Sequence, residues 1–262
     1  MNYSSSMRAW FPAIPAIVLV GSFVLAPLLL LIRMSLYQPS SQGFFVPHTW
    51  TFDNFALLGN SYLFGIVGFT MLFGIVVACL ALAIGYSLAL FLRSLSQFWQ
   101  GVGLLLIIAP KTAGLLAALF GLQRWLQRGL FAALIAEVYL VLPYVTLILF
   151  VHLRSLDSQL ETAARGLGAS DWQVFRRVTL PLSLPGVFTV LQLGLIWGLS
   201  AFLGPLFLGG PQETTLAIEL HRQTFEYSRW PRAAAEALLL LAVIAVFLLP
   251  TALRHAPRGR QP

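Results

Sequence analysis

Residues 62–92 read YLFGIVGFTMLFGIVVACLALAIGYSLALFL, a stretch in which no residue is charged. Its polar groups are a few hydroxyls and one thiol among apolar residues. Folded as an α-helix at about 1.5 Å per residue, this stretch is longer than the hydrocarbon core of a bilayer, which is about 30 Å thick. It therefore predicts a helix that crosses a membrane.

The same apolar character extends over the whole chain of 262 residues. Hydrophobic residues make up 58% of it and charged residues only 10%, with a mean hydropathy of +0.84, whereas a soluble domain is typically about 25% charged. A soluble enzyme, a nucleic-acid-binding domain and a disordered segment are excluded as the main body, so the expected partners include membrane lipid and no nucleic acid. The net charge of +7 comes almost wholly from arginine, because Lys111 is the only lysine.

The apolar windows predict an all-α, polytopic membrane protein with six transmembrane helices, forming a single domain over 1–262. The predicted spans are 9–32, 62–92, 101–122, 130–153, a segment within 182–208, and 233–253. The third span is interrupted by Pro110 and Lys111. A short interfacial segment is expected at 54–60, where asparagine and glycine precede the second span.

Arginine predicts the orientation of these spans, because positively charged loops stay in the cytoplasm. With a cytoplasmic N-terminus, nine arginines lie in inner segments and six in outer ones. Both termini are basic, and an even number of spans places them on the same side. We therefore expect both termini in the cytoplasm.

The loop at 154–181 has the pattern of an ordered structure. Ser158 with Glu161 fits a capping box, Gly168 is a natural helix stop, and Ser170 with Gln173 begins a second short helix that ends at Pro181. The first helix carries a stripe of apolar and small residues along one face: Leu160, Ala163, Ala164 and Leu167. The pattern is compatible with a hairpin lying on the membrane or with a docking surface for a cytoplasmic partner.

Within this loop, Thr162-Ala163-Ala164, Gly168 and, nine residues further on, Val178-Thr179-Leu180-Pro181 follow a known spacing. They resemble the signature E-A-A-x-x-x-G…I-x-L-P of the membrane subunits of type I ABC importers. Leu203 to Pro211, Thr215-Leu216-Ala217 and the run that starts at Trp230 are similar to the polyamine and ferric-iron branch. The resemblance implies that 154–181 is a cytoplasmic coupling loop that docks on an ATPase. Its implied coupling residues are Glu161, Thr162, Ala163, Ala164, Gly168, Ala169, Val178, Leu180 and Pro181.

The resemblance further implies a permease subunit in the bacterial cytoplasmic (inner) membrane. A periplasmic binding protein would deliver a small solute, and an ABC ATPase dimer would bind ATP and Mg²⁺. The acidic residues of the predicted outer loops give a polyamine a slight preference as the solute: Asp53, Glu213, Glu219 and Glu226. A second permease subunit, alike or different, would complete the pathway. An ion-coupled secondary transporter, with Lys111 and Glu137 as its relay, is the alternative.

The chain departs from the family pattern where Thr162 replaces the leading glutamate. Glu161 stands one residue earlier, and one residue turns a side chain by about 100° around a helix. Glu161 is therefore open to two interpretations, as a contact with the ATPase or as a capping residue.

The chain shows no catalytic motif. Leu105 and Pro110 occupy the glycine positions of a P-loop before Lys111. We therefore expect a transport subunit and no enzyme, with no cofactor or metal site of its own.

Charged side chains inside the spans are expected to be functional or paired. Lys111 and Glu137 lie at similar depths in neighbouring spans, which favours a buried ion pair. Alternatively, one or both face the translocation pathway together with Gln192 and Trp197.

Overall fold

The computed structural model describes residues 14–40, 44–112 and 114–255. Within these ranges the regular secondary structure is helical, apart from an isolated antiparallel bridge between Gln38 and Val46, and loops connect the helices. The helices are α1 (Ile14–Ser35), α2 (Asp53–Ala56), α3 (Ser61–Ser94), α4 (Gln97–Thr112), α5 (Leu115–Trp125), α6 (Leu130–Arg154), α7 (Ser158–Gly166), α8 (Asp171–Leu199), α9 (Leu203–Leu208), α10 (Leu216–His221) and α11 (Trp230–His255).

The all-α membrane fold predicted from the sequence is confirmed. In the described part of the chain, five helices are long and apolar enough to cross a membrane, namely α1, α3, α6, α8 and α11. The predicted interfacial segment forms α2 followed by a 3₁₀ turn at Leu57–Gly59. The start of the first predicted span, at 9–13, lies outside the described residues.

The third predicted span is not one helix. It is divided into α4, which continues through Pro110 and Lys111 to Thr112, and α5, which begins at Leu115, so the interruption lies beyond the expected position. Gly114 has φ of 96°, a left-handed backbone conformation that cannot continue a right-handed helix and that glycine adopts without strain. The third predicted span therefore consists of two shorter helices.

The fifth predicted span begins earlier than expected. Pro181 was predicted to end a short loop helix, but α8 runs through it without interruption from Asp171 to Leu199. A proline ring usually breaks a helix because it clashes with the preceding turn. Here a π-helical turn at Phe175–Thr179, with the N–H of Leu180 bonded to the carbonyl of Phe175, widens the helix just before the proline.

The chain forms two compact units. The first comprises Met1–Leu63 and Leu220–Leu241. In it, the buried side chain of Asn54 donates to the carbonyls of Ser35 (2.9 Å) and Tyr37 (2.8 Å), which satisfies backbone acceptors at the end of α1.

The second unit comprises Phe64–Glu219 and Ala242–Pro262. Its core is α6, which packs against α8, α9 and, less extensively, α4 and α5. Helices α3 and α8 approach closely at Gly74 and Gly198, where a Cβ on Gly198 would lie 2.7 Å from the Cα of Gly74. Small residues at such crossings allow backbones in a membrane to pack together. The unit contains both regions that the sequence analysis singled out.

Candidate functional site

The coupling loop begins with α7, and its N-cap is not the predicted one. The side chain of Asp157 accepts the N–H of Gln159 at 2.9 Å, so Asp157 caps the helix. The predicted capping box of Ser158 with Glu161 is therefore wrong. Because capping does not engage Glu161, its carboxylate is available for contacts outside α7.

Glu161 instead joins three helices. Its Oε1 accepts from Arg93 Nη1 at 2.7 Å and from Thr179 Oγ1 at 2.8 Å. Arg93 lies at the end of α3 and Thr179 in the π-helical turn of α8. The Arg93 and Glu161 side chains are only 19% and 15% exposed, and a charge-assisted bond is strongest where water is largely excluded. We call Arg93, Glu161 and Thr179 the Glu161 clamp.

The clamp keeps Glu161 ionised. Partial burial alone would raise the pKa of this carboxyl, but the hydrogen bonds from Arg93 and Thr179, with the charges of Arg93 and Arg165, outweigh burial and lower the pKa below its usual value. At neutral pH the carboxylate therefore stays charged and bound to Arg93.

The turn after α7 confirms the predicted helix stop. Gly168 has φ of 86°, its N–H donates to the carbonyl of Arg165 (2.9 Å), and the N–H of Ala169 donates to the carbonyl of Ala164 (3.1 Å). These two bonds form a Schellman motif, which requires the left-handed conformation at Gly168. The predicted capping box of Ser170 with Gln173 follows and starts α8.

Large apolar side chains stand exposed on this loop. Leu167 is 91% exposed, Trp172 66% and Leu160 48%. We call these three residues the loop face. Of the implied coupling residues, Thr162, Ala163, Gly168 and Pro181 are exposed, whereas Glu161, Ala164, Ala169, Val178 and Leu180 are half-buried. Exposed apolar groups in a polar loop are typical of a surface that binds a protein or a membrane.

A cavity of about 420 Å³ lies within the second unit, where α4, α5, α6 and α8 meet the segment leading into α9. It brings together three predicted residues, Lys111, Glu137 and Trp197, but Gln192 is not among its lining. The remaining lining residues are Leu115, Leu140, Tyr144, Ser200, Phe202 and Leu203.

The predicted ion pair in this cavity is wrong. Among the described residues, no ion pair joins Lys111 to Glu137. Glu137 Oε2 accepts the N–H of Gly204 at 3.0 Å, because α9 packs its first turn directly against α6. Lys111 Nζ lies 4.0 Å from the ring centroid of Tyr144 and 5.1 Å from that of Trp197. Each charge therefore has another stabilising neighbour.

Sequence reasoning missed Tyr144, Ser200, Arg93 and Thr179. The first two carried a signal, because Tyr144 stands seven residues after Glu137 and Ser200 three after Trp197, which places each pair on one helix face. No sequence pattern indicated the partners of Glu161, since Arg93 is remote from it in sequence.

No metal site accompanies these residues. In the parts of the chain that the structure describes, no group of three or more His, Cys, Asp or Glu side chains is placed to hold a metal ion.

Comparison with known proteins gives a consistent result. A family model described as "Binding-protein-dependent transport system inner membrane component" matches residues 71–256. The spermidine/putrescine transport system permease protein PotB of Salmonella typhimurium is 27% identical over 249 residues, which is 87% of this chain and 86% of that protein. PotB of Escherichia coli K12 is also 27% identical and is covered over 90% of its length. The crystal structure of a bacterial ABC transporter involved in the import of alginate, an acidic polysaccharide, matches with a TM-score of 0.76 at 16% identity, covering 99% of both chains.

Proposed function

Because this chain belongs to the family of binding-protein-dependent transport system inner membrane components and is the permease subunit of an ABC importer, we propose how it is coupled to ATP hydrolysis and which solute it carries. In this proposal a separate ATPase dimer binds ATP and Mg²⁺ and docks on the loop at 154–181. A second permease subunit completes the pathway, and a periplasmic binding protein delivers the solute. Both termini lie in the cytoplasm. Membership of this family removes the ion-coupled transporter as an alternative.

The loop face is the observation that carries the coupling proposal. Leu160, Leu167 and Trp172 expose apolar surface next to the Schellman turn at Gly168. A cleft in an ATPase subunit would bury these side chains, at roughly 25 cal/mol for each Å² of apolar surface removed from water. The neighbouring small residues Ala163 and Ala164 allow the two backbones to approach closely.

The fold provides a direct route from this loop to the cavity. Helix α8 has Trp172 in its first turn and Trp197 in its last turns, and its 29 residues span about 43 Å at about 1.5 Å per residue. The Glu161 clamp attaches α3 and α7 to the same helix. A displacement of the loop by the ATPase would therefore move the cavity wall, which is what alternating access requires.

We propose a polyamine as the solute. The PotB relatives are named for spermidine and putrescine, and the cavity of this chain offers a carboxyl group and two aromatic faces, which suit an organic cation.

Photo-crosslinking tests the docking proposal. A photoreactive phenylalanine analogue at Leu167 should crosslink to the ATPase subunit co-expressed with the chain. The matched control is Phe225, which is 72% exposed but lies in a segment predicted to be outside. Equal crosslinking from both positions, or none from Leu167, would contradict docking at this loop.

Uptake by the reconstituted complex with its binding protein tests the solute. Labelled spermidine should enter proteoliposomes in an ATP-dependent manner, and unlabelled putrescine should compete. A complex that is stimulated by another solute but takes up no polyamine would exclude this substrate class.

A further inference from the structure

We propose that the cavity contains a binding site for a primary alkylammonium group, and that the ammonium of Lys111 occupies this site when no solute is bound. The inference rests on the proposed function, because it assigns one end of a polyamine to named residues. It makes Lys111 a tethered competitor of the solute.

The contacts of Lys111 define the site. Its Nζ lies above the ring of Tyr144 at 4.0 Å and near that of Trp197 at 5.1 Å. The two ring centroids are 5.6 Å apart with an interplanar angle of 39°, so one cation reaches both rings. Cations within about 6 Å of an aromatic face are attracted by the ring. A site that already holds one alkylammonium group has the chemistry to hold another.

Two hydrogen-bond acceptors line the same cavity. The Glu137 carboxyl lines the same cavity, and the N–H groups that it receives from Gly204 and from the indole of Trp197 leave it further acceptor capacity. The hydroxyl of Ser200 donates its proton to the carbonyl of Ile196 at 2.7 Å, so its lone pairs remain able to accept a bond. A primary ammonium has N–H groups to give to these oxygens, whereas an alcohol lacks the charge.

Displacement of Lys111 is physically feasible. Its side chain is half-buried, and its flexible four-carbon stem ends in a compact charge. It stands at the end of α4, next to the break that separates α4 from α5. The volume of about 420 Å³ falls within the usual range for small-molecule sites. An incoming ammonium group would therefore replace the Lys111 ammonium with another group of the same charge.

The chain itself supplies a specific probe, because Lys111 is its only lysine. Reductive methylation with ¹³C-formaldehyde labels Lys111 and the N-terminal amine, and dimethyl-lysine keeps its positive charge. In the purified full-length permease in nanodiscs, the Lys111 methyl resonance should be shifted upfield by the ring currents of Tyr144 and Trp197. Putrescine should move it to the position of free dimethyl-lysine, whereas 1,4-butanediol at the same concentration should not.

Equilibrium binding of labelled putrescine to the same preparation, without binding protein, gives a second readout. Lys111→Met should tighten binding at least tenfold, and adding Trp197→Leu to that variant should remove most of the gain. Leu106→Met, on the exposed side of α4, serves as the matched control and should bind as the unsubstituted protein does.

The outcomes separate this inference from the proposed function. If the complex imports spermidine but putrescine leaves the Lys111 resonance unmoved and Lys111→Met binds no tighter, the tethered-competitor site is wrong and polyamine transport stands. If the resonance moves but no polyamine is imported, the site is supported and the proposed substrate is not.

Discussion

At the scale of single residues, the coupling loop depends on side chains that act inside the protein. Glu161 accepts both the Arg93 and the Thr179 bond on Oε1, so we expect it to stabilise the loop from inside the protein rather than to replace the family glutamate, lost at Thr162, as a contact with the ATPase. These bonds attach α7 to α3 and α8.

A double-mutant cycle tests the Glu161 clamp. Arg93→Gln and Glu161→Gln should each lower the stability of the purified permease by roughly 1–2 kcal/mol, because each removes a charge-assisted bond from a largely buried pair. The double variant should be little worse than either single one. Thr162→Ala, on the exposed side of α7, is the control, and thermal unfolding is the measurement. Fully additive losses would show that the two side chains do not interact.

The conformation of Gly168 leads to a second prediction. Gly168→Ala should destabilise the loop by about 1–2 kcal/mol, because an alanine at φ of 86° is strained. Gly166→Ala is the matched control, since a Cβ at either position meets no atom within 4 Å but Gly166 has no left-handed conformation. Hydrogen exchange at the amides of Gly168 and Ala169 reports the local opening. Equal exchange in both variants would contradict the Schellman turn.

At the scale of helices, local sequence signals explain the elements that were predicted and tertiary packing explains the ones that were missed. The stop at Gly168 and the cap at Ser170 depend on neighbouring residues only, so the sequence predicted both. Pro181 alone predicted the end of a helix. In the structure the π-helical turn before it accommodates the proline ring, so the helix continues. The contact of Gly204 with Glu137 depends on how α9 packs on α6, which no local pattern encodes.

The continuity of α8 leads to an element-scale prediction. Insertion of two glycines between Val178 and Thr179 should abolish solute-stimulated ATP hydrolysis, because the helix would no longer transmit motion from Trp172 to Trp197. The same insertion after Ser155, where a loop already separates α6 from α7, should leave at least half of the stimulation. Membrane levels of both variants are measured by immunoblot. If the two insertions have the same effect, α8 is not the route.

At the scale of the whole molecule, the composition was enough to predict a polytopic helical membrane protein, since so few charges cannot cover a soluble surface. The cavity could be predicted only in part. Lys111, Glu137 and Trp197 were identified as polar or aromatic groups inside spans, but their partners depend on the packing of α6, α8 and α9.

The orientation of the chain is a prediction at this scale. Reporter fusions after Gln212 and after Pro262 should give opposite locations, with Gln212 in the periplasm and the C-terminus in the cytoplasm, because the charge distribution favours cytoplasmic termini. Alkaline phosphatase fusions identify a periplasmic position, and fluorescent-protein fusions identify a cytoplasmic one. Reporters on the same side would contradict the six-span arrangement.

The central claim is that the loop at 154–181 couples ATP hydrolysis to transport, and binding-protein-stimulated ATPase activity of the reconstituted complex tests it most directly. Gly168→Asp should reach normal membrane levels, because Gly168 lies in the turn between α7 and α8, outside the helices that are long enough to cross the membrane, yet lose stimulation and uptake together. Arg154→Ala, an exposed change at the end of α6, should keep most of both. Full stimulation and uptake by Gly168→Asp would contradict the coupling role of this loop.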